Sequence, residues 1–375
     1  MAEAGTLPAE RTRPERLRAS APLHYPFEPP AADASVVEVA PGILWARIAM
    51  PIALDHINVY LLQDGDGWTV VDTGLHTEAT RQTWEQLAAR HLQGLPIRRL
   101  VCTHSHYDHA GQAAWMVERF GAELWMSFGE YYMLRGFYGP PPEPLPAHTL
   151  RFYQRAGMAG EQIERVFASL RRDPFMPPVP DSFVRLRHGD RLRIGARDWQ
   201  VIVGEGHSPE HVCLYDAQDR ILIAGDQLLP RITSNVLVMP VEPEADPLRL
   251  WLASLERLAP LAADTLVLPS HQGVFRGLRE RVQELQEHHR QQLDLLRAAL
   301  RQKKRASAWE LMQVQFPKRR HPMDDLMAIG ETLAHLSWLR HQGQVSRTLG
   351  DDGAHCFELT RPTGAREAPD TETQA

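Results

Sequence analysis

The chain has few cysteines and lacks any long hydrophobic run. Cys102, Cys213 and Cys356 are its only cysteines, which are too few and too scattered for a disulfide framework or a paired-cysteine metal site. No stretch approaches the roughly 20 apolar residues that are needed to cross a bilayer. The arginine-rich N-terminus is not followed by the apolar segment of a secretory signal. We therefore expect a cytoplasmic protein that does not enter a membrane.

The chain also lacks a strong excess of charge of either sign. It has 41 Lys and Arg residues against 47 Asp and Glu residues, a net charge of −6, and 43% of its 375 residues are hydrophobic. This composition is typical of a folded globular protein and excludes disorder as its main state. The weak acidity argues against a general polyanion binder.

The pattern of apolar residues divides the chain into segments. We predict an irregular N-terminal arm over residues 1–34 and a polar tail over 361–375. Between them, short strands and helices alternate over 35–276, which predicts an α/β domain. An aromatic and proline-rich stretch at about 128–180 interrupts this alternation and is interpreted as a helical insertion. Residues 277–360 begin with a long amphipathic helix and form a compact C-terminal unit.

The strongest motif is HSHYDH at residues 104–109, directly after a predicted buried strand. His104 and His106 are two residues apart at the strand end, so their side chains point the same way. Asp108 and His109 follow after the chain turns and can face a second ion. Imidazole nitrogens and carboxylate oxygens are the ligands that Zn²⁺ prefers outside thiolate sites. The motif therefore predicts a metal-binding cluster.

Other strand ends supply partners for this cluster. His207, Asp226 and His271 each follow an apolar run, and Asp72 ends an earlier one. Strand ends meet at one edge of an α/β sheet, so we expect these side chains to reach the HSHYDH motif. The sequence has no GxSxG turn, so it does not indicate a serine nucleophile.

The order of these residues resembles the pattern of the metallo-β-lactamase superfamily over roughly residues 36–276. The resemblance implies an αββα sandwich with the site at the sheet edge, and a set of metal ligands divided between two ions. Those implied ligands are His104, His106 and His207 for one ion, Asp108, His109 and His271 for the other, and Asp226 as the bridge. Asp72 would fix the ligand loop by hydrogen bonding, and His211 is interpreted as a structural histidine beside the ligands.

Two adjacent divalent ions would lower the pKa of a shared water from ~15.7 toward ~7, which makes hydrolysis the natural reaction class. Asp108 and Asp226 are the candidate catalytic residues, and Asp108 can orient that water or carry its proton. We expect two Zn²⁺ ions as cofactors. The donor set would also accept Fe or Mn, so an oxygen-consuming iron enzyme stays an alternative.

The insertion suggests a substrate class. Tyr131, Tyr132 and Tyr138 are candidate walls for a small-molecule acyl substrate, which favours thioester cleavage of the glyoxalase II type, or lactone cleavage. The alternative interpretation is that these rings form the core of the insertion itself.

The C-terminal unit resembles the small winged-helix domain that is appended to some members of the superfamily. Two such branches are glyoxalase II-related hydrolases and endoribonucleases. Basic residues cluster at Lys303–Arg305 and Lys318–Arg320; a solvated face is the simplest interpretation, and RNA binding by an endoribonuclease is the alternative. The sequence also leaves open whether the chain forms a homodimer through this unit. His289 lies on the apolar face of the long helix, where packing alone would explain it.

Overall fold

Two β-sheets face each other in the computed structural model, which describes residues 23–52, 54–137, 139–172, 177–319 and 321–360. The first sheet follows the order of the chain. Its strands are antiparallel from the first to the fourth and parallel from there on. They are β1 (Val36–Ala40), β2 (Ile43–Ala49), β3 (His56–Asp64), β4 (Gly67–Val71), β5 (Ile97–Val101), β6 (Glu123–Ser127) and β7 (Val184–Leu186).

The second sheet has the strand order β12-β11-β10-β9-β8. Its last two strands along the chain are parallel, and the remaining neighbours are antiparallel. The strands are β8 (Arg191–Ile194), β9 (Arg197–Gly204), β10 (His211–Asp216), β11 (Ile221–Gly225) and β12 (Leu266–Pro269).

Helices cover the outer face of each sheet. The first domain contains α1 (Glu78–His91), α2 (Tyr107–Ala110), α3 (Ala113–Phe120), α4 (Phe128–Phe137), α5 (Ala147–Arg155), α6 (Gly160–Leu170) and α7 (Pro247–Leu258). Local sequence sets some of their limits: the Thr77 side chain caps the N-terminus of α1, and Asp246 caps α7 just before a proline.

Alternation along the strands explains the layers. In β3, Tyr60 and Leu62 join the apolar core between the two sheets, while Val59 and Leu61 face the core beneath α1 and α3. Successive side chains of a strand point to opposite faces, so a strand that is apolar throughout must be covered on both sides. The predicted αββα sandwich is confirmed.

The C-terminal unit begins at Leu278, and it packs through a shared apolar core on α7 and the outer face of the second sheet. It consists of α8 (Leu278–Lys303), β13 (Ala306–Ser307), α9 (Ala308–Gln315), α10 (Pro322–His341), β14 (Val345–Leu349) and β15 (His355–Leu359). Its three strands form a small sheet in the order β13-β15-β14.

The predicted N-terminal arm is described only from residue 23, and residues 1–22 and the predicted tail lie outside the described residues. His24 and Arg276 exchange backbone hydrogen bonds, so residues beside His24 lie against the end of the first domain. In the described part of the chain, no helix combines the length and apolar character that crossing a membrane requires.

Candidate metal centre

The carboxyl ends of β4, β5, β9, β11 and β12 lie at one edge of the sandwich and carry the predicted site residues. Asp72 directly follows β4 with a φ of 62°, a backbone conformation that Asp adopts more readily than most residues. Its Oδ1 accepts hydrogen bonds from the Thr103 N–H at 2.8 Å and the Thr103 hydroxyl at 3.0 Å. Its Oδ2 lies 2.9 Å from His109 Nδ1. Asp72 thus holds the start of the HSHYDH loop and the orientation of one predicted ligand.

Three of the predicted ligands form a first cluster. His104 Nε2 lies 2.8 Å from His106 Nδ1 and 3.3 Å from His207 Nε2. One nitrogen of each imidazole therefore points at a common centre, with all three atoms within 4.8 Å of one another. This is the group that the sequence predicted for the first ion.

Three more predicted ligands form a second cluster beside it. Asp108 Oδ2 lies 3.5 Å from His109 Nε2 and 3.4 Å from His271 Nε2. Their three donor atoms also fall within 4.8 Å of one another, and the residues are buried. The α2 helix supplies two of them, because the chain turns into this helix directly after His106.

Asp226 lies between the two clusters. One carboxylate oxygen is 3.6 Å from both His207 Nε2 and His109 Nε2, and the other is 3.4 Å from His271 Nε2. Within the described residues, Asp226 Oδ1, His109 Nε2 and His271 Nε2 are buried and make no hydrogen bond. Unpaired buried polar atoms that converge on one point need a partner, and a cation can supply it. The residues therefore fit a pair of divalent ions, which the two clusters and Asp226 would hold.

The electrostatics of the cluster agree with this interpretation. Burial is the main influence on the pKa of His106 and lowers it to about 3, so its ring is neutral at neutral pH and has a lone pair to donate. Burial alone would raise the pKa of Asp108, but the neighbouring His109 and His271 lower it to about 2. The site thus gathers buried, ionised carboxylates, which require positive charge beside them.

Backbone carbonyl oxygens orient two of the ligand histidines through their Nδ1 atoms. His207 Nδ1 lies 2.8 Å from the carbonyl oxygen of Asn235, and His271 Nδ1 lies 2.9 Å from that of His56. An Nδ1–H that donates to a carbonyl leaves the Nε2 lone pair free for a metal, the usual arrangement of metal-binding histidines.

His211 lies next to the cluster without facing it as a ligand. Its Nε2 accepts a hydrogen bond from the Asp226 N–H at 3.0 Å, and burial keeps its pKa well below the usual value. Gly225 allows this contact, because a side chain there would collide with the His211 ring. His211 therefore fixes the backbone that carries Asp226.

Glu130 is a site residue that the sequence analysis missed. Its buried carboxylate accepts the Ser105 N–H at 2.9 Å and the Glu210 N–H at 2.8 Å. It therefore joins the HSHYDH loop to the loop that carries His207. The sequence did contain a signal for this role. Polar site residues follow the other strands at this edge, and Glu130 follows β6 by three positions.

The three tyrosines predicted to contact substrate differ in their surroundings. Tyr131 is 3% exposed, donates its hydroxyl to the Pro180 carbonyl and stacks on Phe183, so its burial argues against a substrate contact. Tyr132 is 53% exposed. Tyr138 lies outside the described residues.

Comparisons with known proteins agree with the fold and the ligand pattern. The family model described as "Metallo-beta-lactamase superfamily" matches residues 52–271, and the one described as "Metallo-beta-lactamase-like, C-terminal domain" matches residues 293–360. The crystal structure of a beta-lactamase domain protein from Burkholderia ambifaria is 41% identical, with a TM-score of 0.83, and the match covers 90% of this chain and 98% of that one.

Two curated relatives are less similar in sequence. A probable metallo-hydrolase of Bacillus subtilis, YqjP, is 26% identical over 81% of this chain and 94% of its own length. The acyl-coenzyme A thioesterase MBLAC2 of Gallus gallus is 26% identical over 62% of this chain and 79% of its own length. The first family model alone spans more than half of the 375 residues. With its two ligand clusters at the edge of an αββα sandwich, the chain belongs to the metallo-β-lactamase superfamily, a superfamily of metal-dependent hydrolases.

Proposed function

We propose that the protein is a dinuclear zinc hydrolase of an ester-type acyl substrate, with a thioester as the preferred substrate and a lactone as the second. The observation that carries the proposal is the pair of ligand clusters that share Asp226. Zinc is proposed because the cluster offers imidazole and carboxylate donors.

Zn²⁺ ions held there would supply a Lewis acid and make a water molecule acidic enough to ionise near pH 7. The chain contributes the geometry of the site. One oxygen of Asp226 lies between the two clusters and the other faces His271 in the second cluster. Asp108 lies beside His109 and His271, and its proposed role is to orient the attacking water or to carry its proton.

An aromatic ledge supports an acyl substrate. We define the ledge as Phe128 and Tyr132, which lie one turn apart on α4 with ring centroids 4.5 Å apart and are 45% and 53% exposed. The same helix carries Glu130, which bonds to the ligand loops, and we propose that the ledge forms part of the wall of the site. Exposed aromatic rings beside polar chemistry suit an apolar acyl chain.

The thioester preference also draws on a relative. MBLAC2, which is similar to this chain over 243 residues, is named an acyl-coenzyme A thioesterase. A thioester has a good leaving group and an acyl carbonyl that a bound metal ion would polarise, so it suits the proposed centre.

The test is a hydrolysis screen of acyl thioesters, lactones and labelled single-stranded RNA, run on wild-type protein and on a double variant, His106→Ala with His271→Ala, which removes one ligand from each cluster. We expect thioester turnover in the wild type and a loss of at least about 100-fold in the double variant. His148→Ala, an exposed histidine on α5, is the matched control and should keep full turnover. RNA cleavage without thioester or lactone turnover would overturn the proposal in favour of a ribonuclease.

A further inference from the structure

A second cluster of possible metal ligands lies in the C-terminal unit, away from the site described above. It consists of His289 on α8 and of Glu331 and His335 on α10, and we call it the interhelical cluster. All three residues are buried, and one donor atom of each lies within 4.8 Å of the others. They lie in the apolar core that the C-terminal unit shares with α7 and the second sheet.

The spacing of the donors suits a single cation. His335 follows Glu331 by four residues, so both side chains lie on the same face of α10. His289 Nδ1 lies 3.2 Å from His335 Nε2. Two nitrogens bound to one tetrahedral ion at ~2.0–2.1 Å would lie about 3.3 Å apart.

The histidine on α10 is oriented as a ligand would be. His335 Nδ1 lies 2.8 Å from the Glu331 carbonyl oxygen, so it is the protonated nitrogen and Nε2 keeps its lone pair for the centre of the cluster. This is the arrangement of His207 and His271 in the first site, whose Nδ1 atoms also face backbone carbonyls. Burial lowers the pKa of His335 to about 4, so the ring stays neutral.

The carboxylate of the cluster needs a cation. Among the described residues, the Glu331 carboxylate has no hydrogen-bond donor or basic side chain as a partner, and burial raises its pKa to about 8. A group with this pKa is mostly a neutral acid at pH 7, and a bound cation would replace its proton and stabilise the carboxylate.

We propose that His289, Glu331 and His335 bind one structural Zn²⁺ ion that joins α8 to α10. The ion would also act on the first site through the backbone. Gly330, next to Glu331, accepts a hydrogen bond from the Val238 N–H at 3.1 Å, and Asn235 in the same segment holds His207. The interhelical ion would thus fix the C-terminal unit against the segment that supports a catalytic ligand.

The first test counts Zn²⁺ per chain in the double variant that lacks His106 and His271, after removal of loosely bound ions. We expect one ion to remain. Adding Glu331→Gln or His335→Gln should remove it, while adding His341→Gln, a histidine of α10 outside the cluster, should not. Loss of all zinc in the double variant, or retention of one ion after both Glu331→Gln and His335→Gln, would overturn the proposal. Circular dichroism of each variant checks that it is folded.

The second test needs no variant. In a crystal of the wild-type protein, diffraction data collected on either side of the zinc absorption edge should show an anomalous peak between the three side chains. If the peak is missing at this position while peaks appear at the first site, the contact between His289 and His335 is a plain hydrogen bond and the site does not exist.

Discussion

At the scale of single residues, the candidate centre depends on side chains that never touch a metal ion. Asp72 receives hydrogen bonds from Thr103 and lies against His109, and His211 receives the backbone N–H of Asp226. Such contacts fix ligand orientation before any ion binds, and their loss typically weakens metal binding or activity by about 10–100-fold.

Asp72→Asn tests this directly. The amide has one oxygen where the carboxylate has two, so it cannot accept from both Thr103 and His109. We expect kcat/KM for the best substrate to fall by about 10–100-fold, and the ion bound by His109 to dissociate more easily during dialysis. Asp198→Asn, on the exposed side of β9, is the control. Equal kcat/KM in the two variants would contradict a role for Asp72 in orienting the ligands.

The aromatic ledge makes a prediction about substrate preference. Tyr132→Ala removes one of its two rings, and we expect KM for a long-chain acyl thioester to rise about tenfold, equivalent to about 1.4 kcal/mol, while kcat and the KM for an acetyl thioester change little. Michaelis curves for the two substrates provide the measurement. Tyr131→Phe is the matched control, because that ring is buried and the variant loses only the hydroxyl's bonds to Pro180 and Arg135. An unchanged KM for the long-chain substrate would remove the ledge from the binding site.

At the scale of elements, α4 connects two loops that belong to different sheets. The Glu130 carboxylate at its first turn bonds the loop after β5 and the loop before β10. In return, the Glu210 carboxylate accepts the Gly129 N–H at 2.8 Å. This reciprocal pair fixes the distance between ligands that the sequence separates by a hundred residues.

Glu130→Gln should loosen that connection. A glutamine places an NH₂ group against one of two backbone N–H donors, so a buried donor loses its partner, which costs about 1–3 kcal/mol. We expect the free energy of unfolding in urea to fall by that amount and the zinc content after dialysis to decrease. Glu118→Gln, an exposed residue of α3, serves for comparison. If its unfolding curve and zinc content match those of Glu130→Gln, the hydrogen bonds of Glu130 contribute neither to stability nor to metal retention.

The elements also show where sequence reasoning succeeds and where it stops. The limits of α1 and α7 follow local signals, because a capping residue precedes each helix. The short strand β7 has no such local signal, since only its pairing with β6 makes it a strand. Glu130 and the interhelical cluster were missed because their roles come from partners that are distant in the sequence, such as His289 and His335, which are 46 positions apart.

At the scale of the whole molecule, the C-terminal unit packs on the first domain, and two arginines of its basic clusters have partners within the unit. Arg319 pairs with Asp325 at 2.7 Å, and Arg305 donates to the Thr348 hydroxyl at 3.1 Å. Lys303, Lys304 and Lys318 are exposed, while Arg320 lies outside the described residues. The labelled RNA in the hydrolysis screen therefore tests whether the exposed lysines serve an RNA substrate.

Removal of metal should therefore affect the whole fold as well as the reaction. We expect chelator-treated protein to lose turnover and to melt at a lower temperature, and added Zn²⁺ to restore both. An ion that binds only the folded chain, at a free concentration ~1,000 times its Kd, stabilises the fold by about 4 kcal/mol. Calorimetry with elemental analysis of the same sample gives the measurement. Full turnover in protein shown to be free of metal would exclude a metal-dependent mechanism.

The most direct test of the central claim is the number of metal ions that the first site holds. Elemental analysis of the wild type and of the His106→Ala, His271→Ala double variant, with thioester turnover measured on the same samples, gives this number as a difference. We predict that the double variant lacks two zinc ions per chain and loses turnover with them. Equal metal content in the two proteins, with turnover retained by the variant, would contradict a two-metal hydrolase.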